Sequence, residues 1–464
     1  MDYDVVIIGG GVAGCAAAVR AARFGMRTLC IERHAVLGGA SLNLGRVPSR
    51  ALLHASEQFE LVTDRLPLLG IAAEAVLNLT MMQTQKDQVI SLLRQDAELL
   101  LRRNHVDHLI GQARLERGGT VRIEAPDTQV RRVSAHNVVI AAGSAPAGLP
   151  DLPVDQMHIL DSEGALKLDA VPERLLVIGS GRIGLELGSI WRRLGAEVEV
   201  VEALDRPLPG ADRELSHSVQ RALERQGMRF RFGSMAIGAH DLGDAAGVVV
   251  AAIQDGARET LTADRVLVAI GRRPATEGLG LGEIGVALDA NGFIPTNDLR
   301  TAAPGVWAIG DVTAGPMVED KALAEAFACI DHIAGQPPTP GPPPIAHALH
   351  TRPEAAWVGR TEEELIDRRS RYAVGKAPFM LNTKARITRE TEGFAKVLVH
   401  PTDLRLLGVH LVGPGVSELI TLASLVMSAH GTSDDLAKTF TSASNYGNAL
   451  REAAIAASWQ ARHS

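Results

Sequence analysis

Cysteine is nearly absent. Three occur in 464 residues, Cys15, Cys30 and Cys329, too few and too scattered for a disulfide framework or a metal cluster. Aromatic residues make up 3%, which leaves little for stacking against nucleobases. Basic residues are outnumbered, 47 Lys and Arg against 54 Asp and Glu for a net charge of −7. Nucleic acid, whose phosphates demand a basic face, is therefore not an expected partner. No apolar run approaches the ~18 residues of a membrane span, so no membrane span is expected. The chain opens on Val5-Val6-Ile7-Ile8 after acidic Asp2 and Asp4. That is unlike a secretory signal, and the expectation is a cytoplasmic protein.

What remains is a chain with a full core, 46% hydrophobic and 22% charged, and its length suggests about three domains at ~150 residues each. Short β-branched runs alternate with helical stretches, the pattern of parallel sheets with crossover helices. One unit occurs twice. The first strand enters Gly9-Gly10-Gly11-Val12-Ala13-Gly14, a helix follows, and a strand from Thr28 ends at Glu32. Later, Leu175 to Ile178 enters Gly179-Ser180-Gly181-Arg182-Ile183-Gly184, a helix follows, and Val198 to Val201 ends at Glu202. In both copies the acid lies 23 residues after the first glycine.

Such a glycine turn lets the backbone approach a pyrophosphate at a helix N-terminus, and the distal acid accepts from an adenosine ribose. Gly9, Gly11, Gly14 and Glu32 are thus candidates for one dinucleotide, and Gly179, Gly181, Gly184 and Glu202 for another. Two dinucleotides suggest a flavin and a nicotinamide, FAD and NAD. Glu202 favours NAD over NADP because a carboxylate repels a 2′-phosphate. A further amphipathic helix is expected over Leu79 to Asn104, burying Val89, Leu92, Leu93, Leu99 and Leu100. Residues 336–344 hold six prolines in nine positions and read as a linker. Cys15 and Cys30 are expected to be buried structural thiols.

Further motifs carry a family resemblance. Val138 to Gly143 and Val266 to Pro274, with Gly143 and Gly271 at their turns, resemble strand-turn motifs of the pyridine nucleotide–disulfide oxidoreductases. Pro304 to Asp311 resembles that family's second flavin motif, which implies that Asp311 holds the ribityl chain. Gly315-Pro316-Met317 with Lys321-Ala322, and Pro353 to Gly359, are similar to dihydrolipoamide dehydrogenase. The implied fold class is α/β: two Rossmann-like dinucleotide-binding domains plus an α+β C-terminal dimerisation domain, hence a homodimer. The expected boundaries are 1–147 for the first part of the FAD domain, 148–272 for the NAD domain, 273–335 for a central FAD segment and 345–464 for the dimerisation domain.

The resemblance also implies a redox cysteine pair five residues apart, and at those positions stand Ser41 and Arg46. The family's C-terminal histidine and glutamate fall on Ser444 and Ala449. Neither a hydroxyl nor a guanidinium has two-electron redox chemistry. Glu186 and Arg50 stand where the family pairs a glutamate with a lysine beside the flavin, so Arg46, Arg50 and Glu186 are the candidate catalytic residues. These features lead to the expectation of an FAD-dependent NADH oxidoreductase, diaphorase- or quinone-reductase-like. It would pass electrons to an unidentified non-thiol acceptor, with no turnover of dihydrolipoamide. A transhydrogenase and a non-catalytic scaffold are the alternatives.

Overall fold

The structure is a computed structural model and describes residues 1–241, 246–252, 256–337, 344–439 and 444–463. Most of the expected linker, residues 338–343, therefore lies outside the described residues. Two compact units are present. The first comprises Met1–Leu52, Asn78–Ala147 and Gly271–Pro342, and the second Leu53–Leu77, Gly148–Ile270 and Pro343–Ser464.

In the first unit β1 (Tyr3–Ile8), α1 (Val12–Arg23) and β2 (Thr28–Glu32) form the glycine-turn unit. Next come α2 (Gly39–Asn43), α3 (Arg46–Glu60), which crosses the unit boundary, and α4 (Leu79–Arg103). The sheet then adds β3 (Asp107–Ile110), β4 (Gln112–Glu116), β5 (Thr120–Glu124) and β6 (Val130–Ile140). Its order is β3-β2-β1-β6-β5-β4, with the strand Val306–Ala308 also pairing β6. β1 is central and parallel to both neighbours, Ile7 facing Cys30 on one side and Val139 on the other. Burial on both faces is why its residues read as an unbroken apolar run. Alanines on α1 (Ala17, Ala18, Ala21) share one core with Ala322, Ala326 and Ile330 of the helix Glu319–Ile333. Small side chains let the two helices meet closely, and Arg20 clasps Asp331 through two bonds of 2.6 and 2.7 Å.

The buried face of α4 differs from the expected one. Leu92, Leu93, Leu99 and Leu100 are exposed, and Val89 is only half-buried. The inward line is Leu79, Lys86, Ile90 and Leu101, with Ala97 packed on the α1 core. These positions recur at intervals of seven and four, one stripe of a helix. The leucine pairs lie to one side of that stripe, so counting apolar residues alone chose the wrong face.

In the second unit the duplicate occupies a five-stranded parallel sheet. Its order is Arg229–Arg231, Glu197–Val201, Arg174–Ile178, Arg265–Val268, Ile159–Leu160. The last part of the chain is a five-stranded antiparallel sheet with the helix Gly447–His463 across it. A Cβ on Gly375 would strike the backbone of Ala453 and Ala457, so this helix lies directly on the strand Ala373–Pro378. One buried charge cluster ties the unit together. Lys396 Nζ lies 3.0 Å from both oxygens of Asp212 and 2.6 Å from Glu362. The fold is the expected one: two Rossmann-like α/β parts and an α+β C-terminal part.

Candidate functional site

Both glycine turns adopt the same geometry. Gly9 and Gly179 have φ of +116° and +101°, a region in which an L side chain is strained. A Cβ on Gly14 would collide with the Gly9 carbonyl, and one on Gly184 with the Gly179 carbonyl. The following helices start at Gly11 and Gly181 with no side-chain cap and no acid in the first turn. Their first N–H groups and dipoles are left to an anion. Nothing lies within 4 Å of a Cβ built on Gly181, so the cradle has room. The residues present therefore fit the pyrophosphates of FAD and NAD.

The two acids repeat atom for atom. Glu32 Oε2 accepts from Gly10 N–H at 2.8 Å and its Oε1 from His34 N–H at 2.9 Å. Glu202 Oε2 accepts from Ser180 N–H at 2.8 Å and its Oε1 from Leu204 N–H at 3.0 Å. Each acid, expected from the sequence to contact a ribose, is held by the backbone of its own turn. Arg206 lies beside Asp205 at 3.1 Å.

Around Asp311 the distant motifs converge. The strand Ser144–Pro146 just after Gly143 pairs antiparallel with Arg272–Pro274 just after Gly271. Ser144 Oγ donates to Asp311 at 2.5 Å, and Arg272 Nε donates to Ser144 Oγ at 2.8 Å. Buried Lys321 donates to the Gly310 carbonyl at 2.9 Å, while Glu325 accepts from Gly310 N–H at 2.7 Å. Asp311 is thereby held at the end of the β6-paired strand Val306–Ala308. Ser144 and Glu325 were not singled out from the sequence, because their partners lie 167 and 15 residues away.

α2 leaves the first turn directly, since Gly38 bridges Gly11 and a Cβ on Gly39 would meet Gly11 Cα at 2.7 Å. On it Ser41 Oγ donates to Glu319 Oε2 at 2.9 Å, and Arg46 Nη1 lies 2.6 Å from the same oxygen. The Arg46 side chain is 55% exposed, and its charge is met by this carboxylate. Glu319 is the residue that sequence reasoning missed. Its contact to Ser41 spans 278 positions, and no local pattern signals it.

Arg50 stands on α3 in the first unit, whereas Glu186 is buried in the second, where its Oε1 accepts from His350 N–H at 2.9 Å. Near the C-terminus residues 442–443 lie outside the described residues. Ser444 has φ +62° and Ala449 is buried. The Tyr446 hydroxyl donates to Glu390 at 2.8 Å, and burial together with that carboxylate pushes its pKa up. Cys30 is buried as expected, but Cys15 is only half-buried because it sits at the open start of α1.

Comparison with known proteins gives a consistent picture. A profile of the pyridine nucleotide-disulphide oxidoreductases matches residues 3–326, and one of that family's dimerisation domain matches 345–454. Dihydrolipoyl dehydrogenase 3 of Pseudomonas putida is 46% identical over 455 residues, covering 98% of each chain. LpdA from Mycobacterium tuberculosis superposes with a TM-score of 0.90 at 26% identity, over 97% of this chain and 99% of that one. The Cu(II) complex of the HOCl-induced flavoprotein disulfide reductase RclA from Escherichia coli gives 0.87 at 26% identity, over 98% and 99%.

These findings overturn the expected non-thiol acceptor and the diaphorase or quinone-reductase type. The similar proteins are dihydrolipoyl dehydrogenases and disulfide reductases, which point to thiol and disulfide chemistry. The transhydrogenase and scaffold alternatives fall with it. The inference failed for a physical reason. The side chains at 41 and 46 are a hydroxyl and a guanidinium, and they say nothing about sulfur in the substrate.

Proposed function

Since the chain belongs to the pyridine nucleotide-disulphide oxidoreductase family, we propose that it exchanges electrons between NAD(H) and thiol/disulfide substrates of the dihydrolipoyl type. The observation that carries this reading is the 46% identity to a dihydrolipoyl dehydrogenase over 98% of both chains. In this reading 1–147 and 273–335 hold FAD, 148–272 holds NAD, and 345–464 forms a homodimer. When bound, FAD is the two-electron relay between the substrate and the nicotinamide.

Two roles fall to the chain's own residues. Gly9, Gly11 and Gly14 with Glu32 cradle one dinucleotide, and Gly143, Gly271 and Asp311 hold its remainder. Gly179, Gly181 and Gly184 with Glu202 cradle the other, and the carboxylate at 202 favours NADH over NADPH. Arg50 and Glu186 serve the nicotinamide side. The stretch that carries the redox cysteines in the family has Ser41 and Arg46 here, and Ser444 and Ala449 replace its acid–base pair. The substrate's own dithiol then has to close to the disulfide. Two S–H bonds break, one S–S bond forms, two electrons and one proton pass on to NAD⁺ to give NADH, and one proton is released. Glu319 is the proton acceptor on this side, its carboxylate oriented by Ser41 and Arg46.

An anaerobic titration of the holoprotein with dihydrolipoamide tests this. The flavin absorbance is expected to bleach, and added NAD⁺ is expected to restore it with formation of NADH. No thiolate-to-flavin charge-transfer band should accompany the bleaching. A flavin that NADH bleaches but dihydrolipoamide leaves oxidised would overturn the proposal.

A further inference from the structure

Two of the three cysteines meet beneath the first glycine turn. Cys15 is the fourth residue of α1, and Cys30 lies in mid-β2, opposite Ile7 of β1. They are brought together by the crossover that makes the dinucleotide cradle. Cys15 Sγ donates to the Gly10 carbonyl at 3.2 Å, and Cys30 Sγ reaches the neighbouring Gly9 carbonyl at 3.9 Å. The two thiols thus sit on the carbonyls of consecutive residues of one turn. Their position differs in one respect that matters chemically. Cys15 is half-buried at the mouth of the turn, whereas Cys30 is 0% exposed.

We propose that Cys15 and Cys30 form a reversible disulfide on exposure to a hydroperoxide, and that its closure loosens FAD. Cys15 is the thiol a small oxidant can reach. Its sulfur attacks the peroxide, the O–O bond breaks, an alcohol leaves and Cys15 becomes a sulfenic acid. Cys30 sulfur then attacks Cys15 sulfur. The S–O bond breaks, the S–S bond forms, and the Cys30 proton leaves with the hydroxyl as water. Two thiols are oxidised by two electrons in all, and one hydroperoxide is reduced to alcohol and water. A dithiol reverses the step by exchange.

The consequence for FAD follows from what the two thiols hold. Both S–H donors vanish on closure, so the carbonyls of Gly9 and Gly10 lose these partners. Gly10 N–H is tied to Glu32, so a shift in that peptide moves the acid as well as the turn. The neighbouring Cys15 thiol and complete burial push the Cys30 thiol well up. The resolving step is therefore slow and depends on how closely the turn holds the two sulfurs. The inference is independent of the substrate proposed above, because it concerns only the cofactor turn.

The test uses the holoprotein treated with hydrogen peroxide and then denatured for thiol titration. Three thiols are expected to fall to one, with a peptide linking Cys15 to Cys30 that dithiothreitol releases. FAD release, followed by the fluorescence of free flavin, is expected to quicken about three- to tenfold, the scale of one or two lost hydrogen bonds. Cys15→Ser is expected to keep both remaining thiols and unaltered FAD release under the same treatment. Cys30→Ser is expected to stop at a sulfenic acid that dimedone captures. Three surviving thiols, or Cys15 over-oxidised without a cross-link, would overturn the pair. A cross-link that leaves FAD release unchanged would overturn its coupling to the cofactor.

Discussion

Glu32 and Glu202 show what a single residue can be asked to do. Each carboxylate accepts two backbone N–H bonds of its own turn, so its loss disturbs the cradle itself. Glu202→Ala is expected to raise KM for NADH about tenfold, because one lost charged hydrogen bond amounts to ~1.5–3 kcal/mol. The kcat at saturating NADH should change little, since ground-state and transition-state binding fall together. The preference for NADH over NADPH should shrink in the same variant, and steady-state kinetics with both donors reads both effects. A KM that stays put would remove Glu202 from the nicotinamide site. Glu202 could be read in advance because 23 residues of chain separate it from its glycine in a unit whose geometry is local. Glu319 could not, because its partners Ser41 and Arg46 come from another part of the chain.

At the scale of elements, Lys396 is the instructive case. It sits in the strand Phe394–Val399 and reaches Asp212, the cap of the helix Arg213–Arg225, and Glu362 at the start of the helix Glu362–Asp367. Its side chain is 2% exposed and that of Asp212 is 0%. Lys396→Met would strand the Asp212 carboxylate without its cation, and the expected loss of stability is about 3–5 kcal/mol. Adding Asp212→Asn should recover part of it. Chemical denaturation of the single and double variants measures both.

The same cluster sets a pH window. Burial pushes the Asp212 pKa up, but His410 and Lys396 outweigh it and hold the carboxyl low. Burial pushes Lys396 down, but Glu362 and Asp212 outweigh it and hold the ammonium high. The Asp212 contribution is therefore complete above the ordinary aspartate range and is lost as pH falls through its lowered value. The Lys396 contribution is complete below the ordinary lysine range and is lost as pH rises through its raised value. Denaturation midpoints are expected to form a plateau between the two, and Lys396→Met should flatten the alkaline edge. The alternation of strand and helix in this region was readable from apolar periodicity. The cluster was not, because a lysine in a strand normally reads as a solvent-facing position.

For the whole molecule, the matched dimerisation domain supports a homodimer. Light scattering at micromolar concentration is expected to give twice the chain mass, with an interface of obligate size, above ~2,000 Å². A monomer at that concentration would refute this. Helix α4 exposes Leu92, Leu93, Leu99 and Leu100, although the sequence marks the helix itself clearly.

The sequence by itself determined the duplicated strand–turn–helix units, their acids and the α+β tail. Those features are written in contiguous residues whose spacing obeys helix and strand periods. It also determined that residues 41 and 46 carry no sulfur. Only the tertiary structure decided which face of α4 turns inward, that Glu319 bridges Ser41 to Arg46, and that Cys15 meets Cys30. Each of these contacts joins chain segments whose separation along the sequence carries no periodic signal. Packing of sheet and helices alone brings them together.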